Sequence, residues 1–270
     1  MLAHIEIIVT LREEFMPVQR TFLMILVVLT LTCTAAHAMG LEVALGGWQQ
    51  DPGGDLGYKA LTSNDLLDVD RDLKYDTKNQ LLGRAKIELP SLLPNIYLMA
   101  APTQFEATGQ KAADFTFGDS TIHANTAFYS KLTYNQYDVG LYYGLPFLKT
   151  ATAGILNVDL GLDARILQME AILSQGTDIY EKHDRTIGVP LIFASVQVTP
   201  LKWLAIEAEG LGITYSGNNL YTVIGRARFN VFGPAFIAAG YRYDKVDVDE
   251  QDVKVNLTIQ GPFAEVGLKF

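Results

Sequence analysis

Beyond residue 38 the sequence contains no cysteine, since the single one is Cys33. Disulfides therefore cannot staple a chain that begins at residue 39, and such a chain is compatible with an oxidising compartment. Also missing after residue 38 is any apolar run approaching the roughly 20 residues of a membrane helix; if the chain enters a membrane, it crosses as strands. Histidine is scarce there too, with only His123 and His183, and no Cys/His metal spacing, nucleophile elbow or phosphate loop is present. Basic residues are in deficit. Of the 21 Lys and Arg and the 30 Asp and Glu, two and three fall before residue 39, leaving 19 against 27 and a net charge of −8. That balance argues against nucleic acid as a partner.

The long apolar stretch that does exist lies early. Residues 16–20 read Met-Pro-Val-Gln-Arg, residues 21–32 are mostly apolar, and Ala36-His37-Ala38 follows. A basic start, an apolar middle of about a dozen residues and a small-residue site are the three parts of a secretory leader. The expectation is a signal peptide over 16–38, cleaved after Ala38. Residues 1–15, with Glu13 and Glu14, do not fit a leader and read as an upstream mis-start, with translation beginning at Met16. Cys33 is preceded by Thr30-Leu31-Thr32 rather than the small residues of a lipoprotein site.

From residue 39 onward the recurring pattern has period two, the mark of half-buried strands. Leu156, Val158, Leu160, Leu162 and Ala164 alternate with Asn157, Asp159, Gly161, Asp163 and Arg165; Leu81, Gly83, Ala85 and Ile87 alternate with Leu82, Arg84, Lys86 and Glu88. Similar segments begin near residues 41, 96, 137, 186, 204, 221, 237 and 262. The segment at 96–108 alternates poorly, that at 186–198 is interrupted by Pro190, and residues 115–117 can hold extra strand. Ten strands result, joined by five longer polar connections on one side (51–76, 109–131, 174–185, 216–219 and 246–252) and four shorter turns on the other. An even count with both termini on the short-turn side is what a transmembrane antiparallel up-and-down β-barrel requires. The fold class expected is all-β, a barrel of ten strands, with eight and twelve the neighbouring even counts, over residues 39–270. A lipocalin-like soluble barrel has the same periodicity with the apolar face inward. Tyr134, Tyr137, Trp203, Tyr221, Tyr241 and Tyr243 near strand ends fit the aromatic girdles of the membrane alternative.

The close of the chain carries a resemblance. Phe270, Leu268, Val266, Ala264 and Pro262 form one apolar face against Lys269, Gly267, Glu265 and Phe263. This resembles the terminal strand of bacterial outer-membrane β-barrels, which implies that Phe270, Leu268 and Val266 serve as an insertion signal read by the barrel-assembly machinery. Residues 40–58, beginning Gly40-Leu41-Glu42 and containing Trp48-Gln49-Gln50-Asp51-Pro52, the acidic stretch at 66–73, the turn Leu92-Leu93-Pro94-Asn95-Ile96 and Gly261-Pro262-Phe263 are together similar to a family of small proteobacterial outer-membrane β-barrel proteins. The resemblance implies location in the cell outer membrane and a barrel fold, and carries over no catalytic residue. Expected partners are outer-membrane lipids and lipopolysaccharide, with periplasmic chaperones and the assembly machinery during biogenesis; the state expected is a monomer.

No cofactor, metal site or enzyme activity is expected. His183-Asp184 is superficially similar to the rim pair of omptin-like proteases, but adjacent strand residues point to opposite faces. Asp68, Asp70 and Asp72 open like a calcium loop, yet Leu73 stands where glycine is needed and Asn79 where glutamate is. Asp247, Asp249, Glu250 and Asp252 complete an acidic outer edge read as solvated, with weak divalent binding as the alternative. The lumen-facing set is Glu42, Arg84, Lys86, Glu88, Asp159, Asp163, Arg165, Glu207, Glu209, Arg226, Arg228, Arg242, Glu265 and Lys269. Taking Gly217-Asn218 as a two-residue type II′ turn pairs Leu204 with Val231, Ile206 with Phe229, Ala208 with Ala227, Glu207 with Arg228 and Glu209 with Arg226. The function expected is a structural or surface-interaction barrel whose lumen these ion pairs largely plug; the alternatives are a narrow pore and a rim enzyme acting on lipid or peptide.

Overall fold

The computed structural model describes residues 39–90, 93–250 and 252–270; the upstream segment and the leader read over 1–38 lie outside the described residues. Among the described residues, ten antiparallel strands close into one barrel. They are β1 (Gly40–Tyr58), β2 (Lys78–Glu88), β3 (Asn95–Ala101, resuming as Gln104–Gly109), β4 (Phe128–Gly144), β5 (Leu156–Gln175), β6 (Ile179–Leu201), β7 (Leu204–Tyr215), β8 (Asn218–Phe232), β9 (Ala235–Glu250) and β10 (Val253–Lys269). Each pairs with the next, and β10 returns to β1 with Leu268 opposite Val43 and Val266 opposite Leu45. The poor alternation of β3 has a local cause. The strand breaks at Pro102-Thr103, where Asn135 Oδ1 accepts from the Thr103 amide at 3.1 Å and Gln50 donates to the Pro102 carbonyl at 3.1 Å.

The closing seam depends on one glycine. Gly261 has φ +153°, and a Cβ there would lie 1.9 Å from the Gln49 carbonyl oxygen. The β1–β10 ladder skips Gln49 and Gln50 opposite Gly261 and Pro262, and proline has no N–H to offer it.

Three of the five connections read as long loops are mostly strand. β5 and β6 run on to a turn at 176–178, β9 reaches Glu250 and β10 resumes at Val253, and β7 and β8 meet in a two-residue turn at Ser216-Gly217. The turn is one residue earlier than expected. Ser216 and Gly217 both have positive φ, +51° and +89°, the condition for a type I′ rather than a type II′ turn. The register moves by two: Leu204 opposes Phe229, Ile206 opposes Ala227, Ala208 opposes Gly225 and Glu207 opposes Arg226. An even shift changes partners without changing faces.

The long strands change character part-way along. In β9, Ile237, Ala239, Tyr241 and Tyr243 face outward while Arg242 and Asp244 are buried in the lumen; beyond Asp244, Val246 and Val248 turn inward and Lys245, Asp247 and Asp249 outward. β10 repeats this, with Pro262, Ala264, Val266 and Leu268 outward near its end and Val255, Leu257 and Ile259 inward near its start. In β5, Leu160, Leu162 and Ile166 face outward and Asp159, Asp163 and Arg165 inward, followed by inward Leu167, Met169 and Leu173. The apolar-outward stretches, such as 156–166, 221–231 and 262–270, have the ~9–11-residue length at which a tilted strand crosses the hydrocarbon. One barrel is therefore built on two rules: apolar out and polar in where lipid surrounds it, polar out and apolar in above.

The aromatic girdle sits at the junctions. Tyr221 and Tyr243 stack at 6.0 Å at the outer boundary, and Trp203 and Phe229 at 6.2 Å near the short-turn end. Tyr134 does not belong to it. Its parity puts it in the lumen, 3% exposed.

Candidate functional site

The membrane half of the lumen is filled by ions in two layers. Nearest the termini, Arg84 contacts Glu42 at 2.6 Å and Glu265 at 2.8 Å, Arg228 contacts Glu42 at 2.8 Å and Glu207 at 2.7 Å, and Arg226 contacts Glu209 at 2.8 Å and Glu207 at 3.3 Å. Lys86 adds a contact to Glu209, and Lys269 reaches Glu42 at 3.0 Å. The next layer joins Arg165 to Asp138 through two bonds of 2.6 and 2.9 Å and Arg242 to Asp244 at 2.8 Å, with Gln136 donating to Asp244 at 2.6 Å. Arg242 also lies over the Trp48 ring at 4.6 Å. The side chains of Arg84, Arg165 and Arg242 have no exposed surface.

The expected pairs Glu207–Arg228 and Glu209–Arg226 thus meet, but as diagonal neighbours. The register sets Glu207 opposite Arg226 and Glu209 opposite Ile224, and diagonal neighbours remain within reach of long side chains. Val266 and Leu268 face outward, and the Phe270 amide donates to the Leu41 carbonyl at 2.8 Å, completing the seam with β1.

Two cavities flank these layers and share no lining residue. A polar one of about 190 Å³ opens beside Glu88, Asn95, Asn157, Gln197 and the turn that holds α1 (Pro146–Ala151). The other, of about 910 Å³, occupies the outer half of the barrel and is lined mainly by inward apolar side chains, among them Leu132, Leu167, Met169, Leu173, Val246 and Leu257. The sequence pattern does not expose this outer chamber, because about half of its lining, Leu56, Leu67, Leu73, Tyr75, Val246 and Val248 included, lies in segments that read as polar loops. The signal was present as valine at every second position in 246–248 and 253–255.

A lobe of two connections packs beside the chamber mouth. The segment after β1 contains a 3-10 turn (Ser63–Asp65) and a short strand (Leu67–Asp68) that pairs back on β1; the one after β3 contains a hairpin, Phe115–Phe117 with Ser120–Ile122. The hairpin fits the extra strand expected at 115–117. The two segments interlock through polar contacts: Asp65 accepts from the Thr116 amide at 2.7 Å, and the Gln110 amide donates to the Asp72 carbonyl at 3.0 Å. Burial opposes ionisation of Asp65, but amides of Thr116, Thr62 and Leu61 and the Thr62 hydroxyl hold its carboxyl below the usual aspartate range. Asp72 is likewise held low against burial by Arg71, the Asp68 amide and Lys111.

These aspartates build the lobe from within. Asp68 Oδ1 accepts from the amides of Asp70 and Arg71 at 3.0 and 2.7 Å. Among the described residues, no group of three or more His, Cys, Asp or Glu side chains is arranged to hold a metal ion. His183 is not in a loop. It lies on β6, faces the chamber and stacks on Tyr58 at 4.3 Å, while Asp184 points the other way, 3.8 Å from Lys182. His123 is held in the loop lobe, its amide donating to Gln175 at 2.9 Å.

No protein-family model and no curated protein sequence matches the chain. Among solved structures it is similar to the outer membrane protease OmpT from Escherichia coli (10% identity, TM-score 0.48, 87% of this chain and 97% of that one). It is also similar to Ail, the attachment invasion locus protein of Yersinia pestis, in complex with the heparin analogue sucrose octasulfate (11%, 0.38, 86% and 99%), and to the translocator domain of the autotransporter NalP from Neisseria meningitidis (11%, 0.39, 87% and 89%). No residue role transfers at these identities. By its own closed ladder, its apolar-outward belt and its charged membrane-level lumen, the chain is an antiparallel ten-stranded β-barrel of the cell outer membrane.

Proposed function

We propose that the protein is a non-conducting barrel with a structural or surface-interaction role, closed at membrane height and presenting its outer half to the cell exterior. The observation that carries this reading is the pair of ion layers that separates the two cavities. Moving an ion through them means breaking charge-assisted bonds in a low-dielectric interior, which is costly when a partner is left unpaired. Exposed Leu61, Tyr180 and Tyr215 at the outer end offer apolar contact points to a surface partner. Lipid and lipopolysaccharide meet the belt of Leu160, Leu162, Val223 and Val266, and the chain works as a monomer. The test is planar-bilayer recording of the purified barrel. The expected result is no steady conductance in molar salt; a stable open level would favour the narrow-pore reading instead.

A further inference from the structure

Above the ion layers the barrel obeys the rule of a soluble ligand-binding barrel. Its inner wall is apolar, and Lys245, Asp247 and Asp249 of β9 face outward. An interior that only filled space would be packed to the density of other protein cores. This one instead encloses about 910 Å³, near the upper end of the roughly 300–1,000 Å³ of small-molecule sites.

The wall of this chamber has a seam. The β6–β7 ladder ends at Ile192 and Gly212. Beyond it β6 continues to Ile179 paired with β5 alone, and Ile213, Thr214 and Tyr215 pair with β8 alone. Pro190 stands two residues past the last pair and has no N–H for any neighbour. Val189 and Pro190 on one lip and Ile213 and Tyr215 on the other all line the chamber. The last pair of the ladder is flanked by outward-facing Tyr221, which opposes Gly212, and by outward-facing Leu162, which opposes Ile192. The seam therefore starts within the apolar belt, beside Leu162, and at its outer boundary beside Tyr221.

One cation stands on this lip. Arg185 lines the chamber and is exposed, and among the described residues no carboxylate lies within ion-pair distance of it. The other charged side chains at the mouth are engaged or distant along the ring: Lys131 and Lys182 with Glu170, Glu250 with Asn218, and Asp252 at the β9–β10 turn.

From the apolar chamber, the seam at bilayer height and the free guanidinium on its lip, we infer that the outer half of the lumen binds a single-chain anionic amphiphile drawn from the outer leaflet. Its hydrocarbon chain lies among Leu132, Leu167, Met169, Leu173, Val246 and Leu257, and its carboxylate or phosphate head is held by Arg185. The site goes beyond the non-conducting reading and does not depend on it, because the chamber ends above the ion layers.

The test uses the purified barrel in maltoside micelles, with palmitate as the probe, hexadecanol as the neutral comparator and naphthalene as a small apolar control, bound molecules being counted by native mass spectrometry. Palmitate is expected to bind one per barrel and more tightly than hexadecanol. Arg185→Gln should weaken palmitate by about tenfold or more, the scale of one hydrogen bond to a charged group, and leave hexadecanol unchanged. Ala171→Trp and, independently, Val248→Trp should fill the chamber and abolish both; whichever variant keeps heat-modifiable gel migration decides the matter. Palmitate binding unaffected by the folded tryptophan variant, or no palmitate at saturation, overturns the site. Equal binding of palmitate and hexadecanol overturns the anionic head, and preference for naphthalene overturns the amphiphile.

Discussion

Arg226 Nη2 lies 2.8 Å from Glu209 Oε2 although the ladder sets Arg226 opposite Glu207, so one guanidinium spans two carboxylates on the neighbouring strand. Glu209 also holds Lys86 and receives the Tyr97 hydroxyl at 3.4 Å. Glu209→Ala strands Lys86 and half of the Arg226 fork in a dry interior, where removing one partner costs about 3–5 kcal/mol. The double change with Arg226→Ala is expected to recover part of that loss. Urea unfolding of the three variants checks it: simple addition of the two single losses would mean that the two groups act independently.

At the closing seam, Gly261→Ala is expected to prevent a folded barrel. The added methyl would sit 1.9 Å from the Gln49 carbonyl, backbone that cannot yield without opening the β1–β10 ladder. Gly225→Ala is the matched control, since nothing lies within 4 Å of its Cβ position. Heat-modifiable gel migration should persist in the control and vanish in Gly261→Ala.

The membrane half was legible because lipid outside and ions inside impose one uninterrupted alternation, as in Leu160 and Leu162 against Asp159 and Asp163. The outer half alternates just as strictly, but with its apolar phase on the other face. Val246 and Val248 among Asp247, Asp249 and Glu250 therefore read as an acidic loop, and the chamber they line stayed hidden. Local chemistry misled at Ser216, where a non-glycine residue takes positive φ and moves the turn by one position. The membership of Glu207, Glu209, Arg226 and Arg228 in the lumen survived that shift because it was even. Their joining to Glu42, Arg84 and Glu265 depends on barrel closure, which brings residues 42 and 265 together and which no local pattern contains.

Asp163 is the exception within the lumen. Asp138 has its two bonds to Arg165, and Asp159 accepts from Ser195 and Asn157 at 2.8 Å each, whereas among the described residues neither Asp163 oxygen has a hydrogen-bond partner. An unpartnered buried carboxylate is destabilising. Asp163→Asn is therefore expected to stabilise the barrel by about 1–3 kcal/mol, read as a higher thermal midpoint at neutral pH. A lower midpoint would mean that the carboxylate makes a bond that the amide cannot replace.

The loop lobe carries the last prediction, a response to acid. Asp65 accepts from Leu61 and Thr62 amides at 3.1 and 2.8 Å, from the Thr62 hydroxyl at 2.9 Å and from Thr116 at 2.7 Å. Asp72 accepts from the Asp68 amide and from Arg71, both at 3.1 Å. Both carboxyls are depressed in the folded lobe relative to the ~4 of an unfolded aspartate. The folded lobe then binds protons less readily than the unfolded segment. Its extra stability is present above about pH 4 and is lost as pH falls through the lower folded values. Asp70 works the other way, raised by burial and then by Asp68 and Asp51, and offsets part of the loss. Hydrogen exchange at residues 61–73 and 110–117 should be slow at pH 6 and, after correction for intrinsic rates, much less protected at pH 3. Asp65→Asn keeps an acceptor but replaces the second one with a donor that would face the amides of residues 61 and 62 or of 116. In that variant protection should be low at both pH values and the acid step flattened. A wild-type lobe equally protected at pH 3 and pH 6 would show that packing of Phe115, Phe117 and Leu67, rather than these carboxylates, holds it shut.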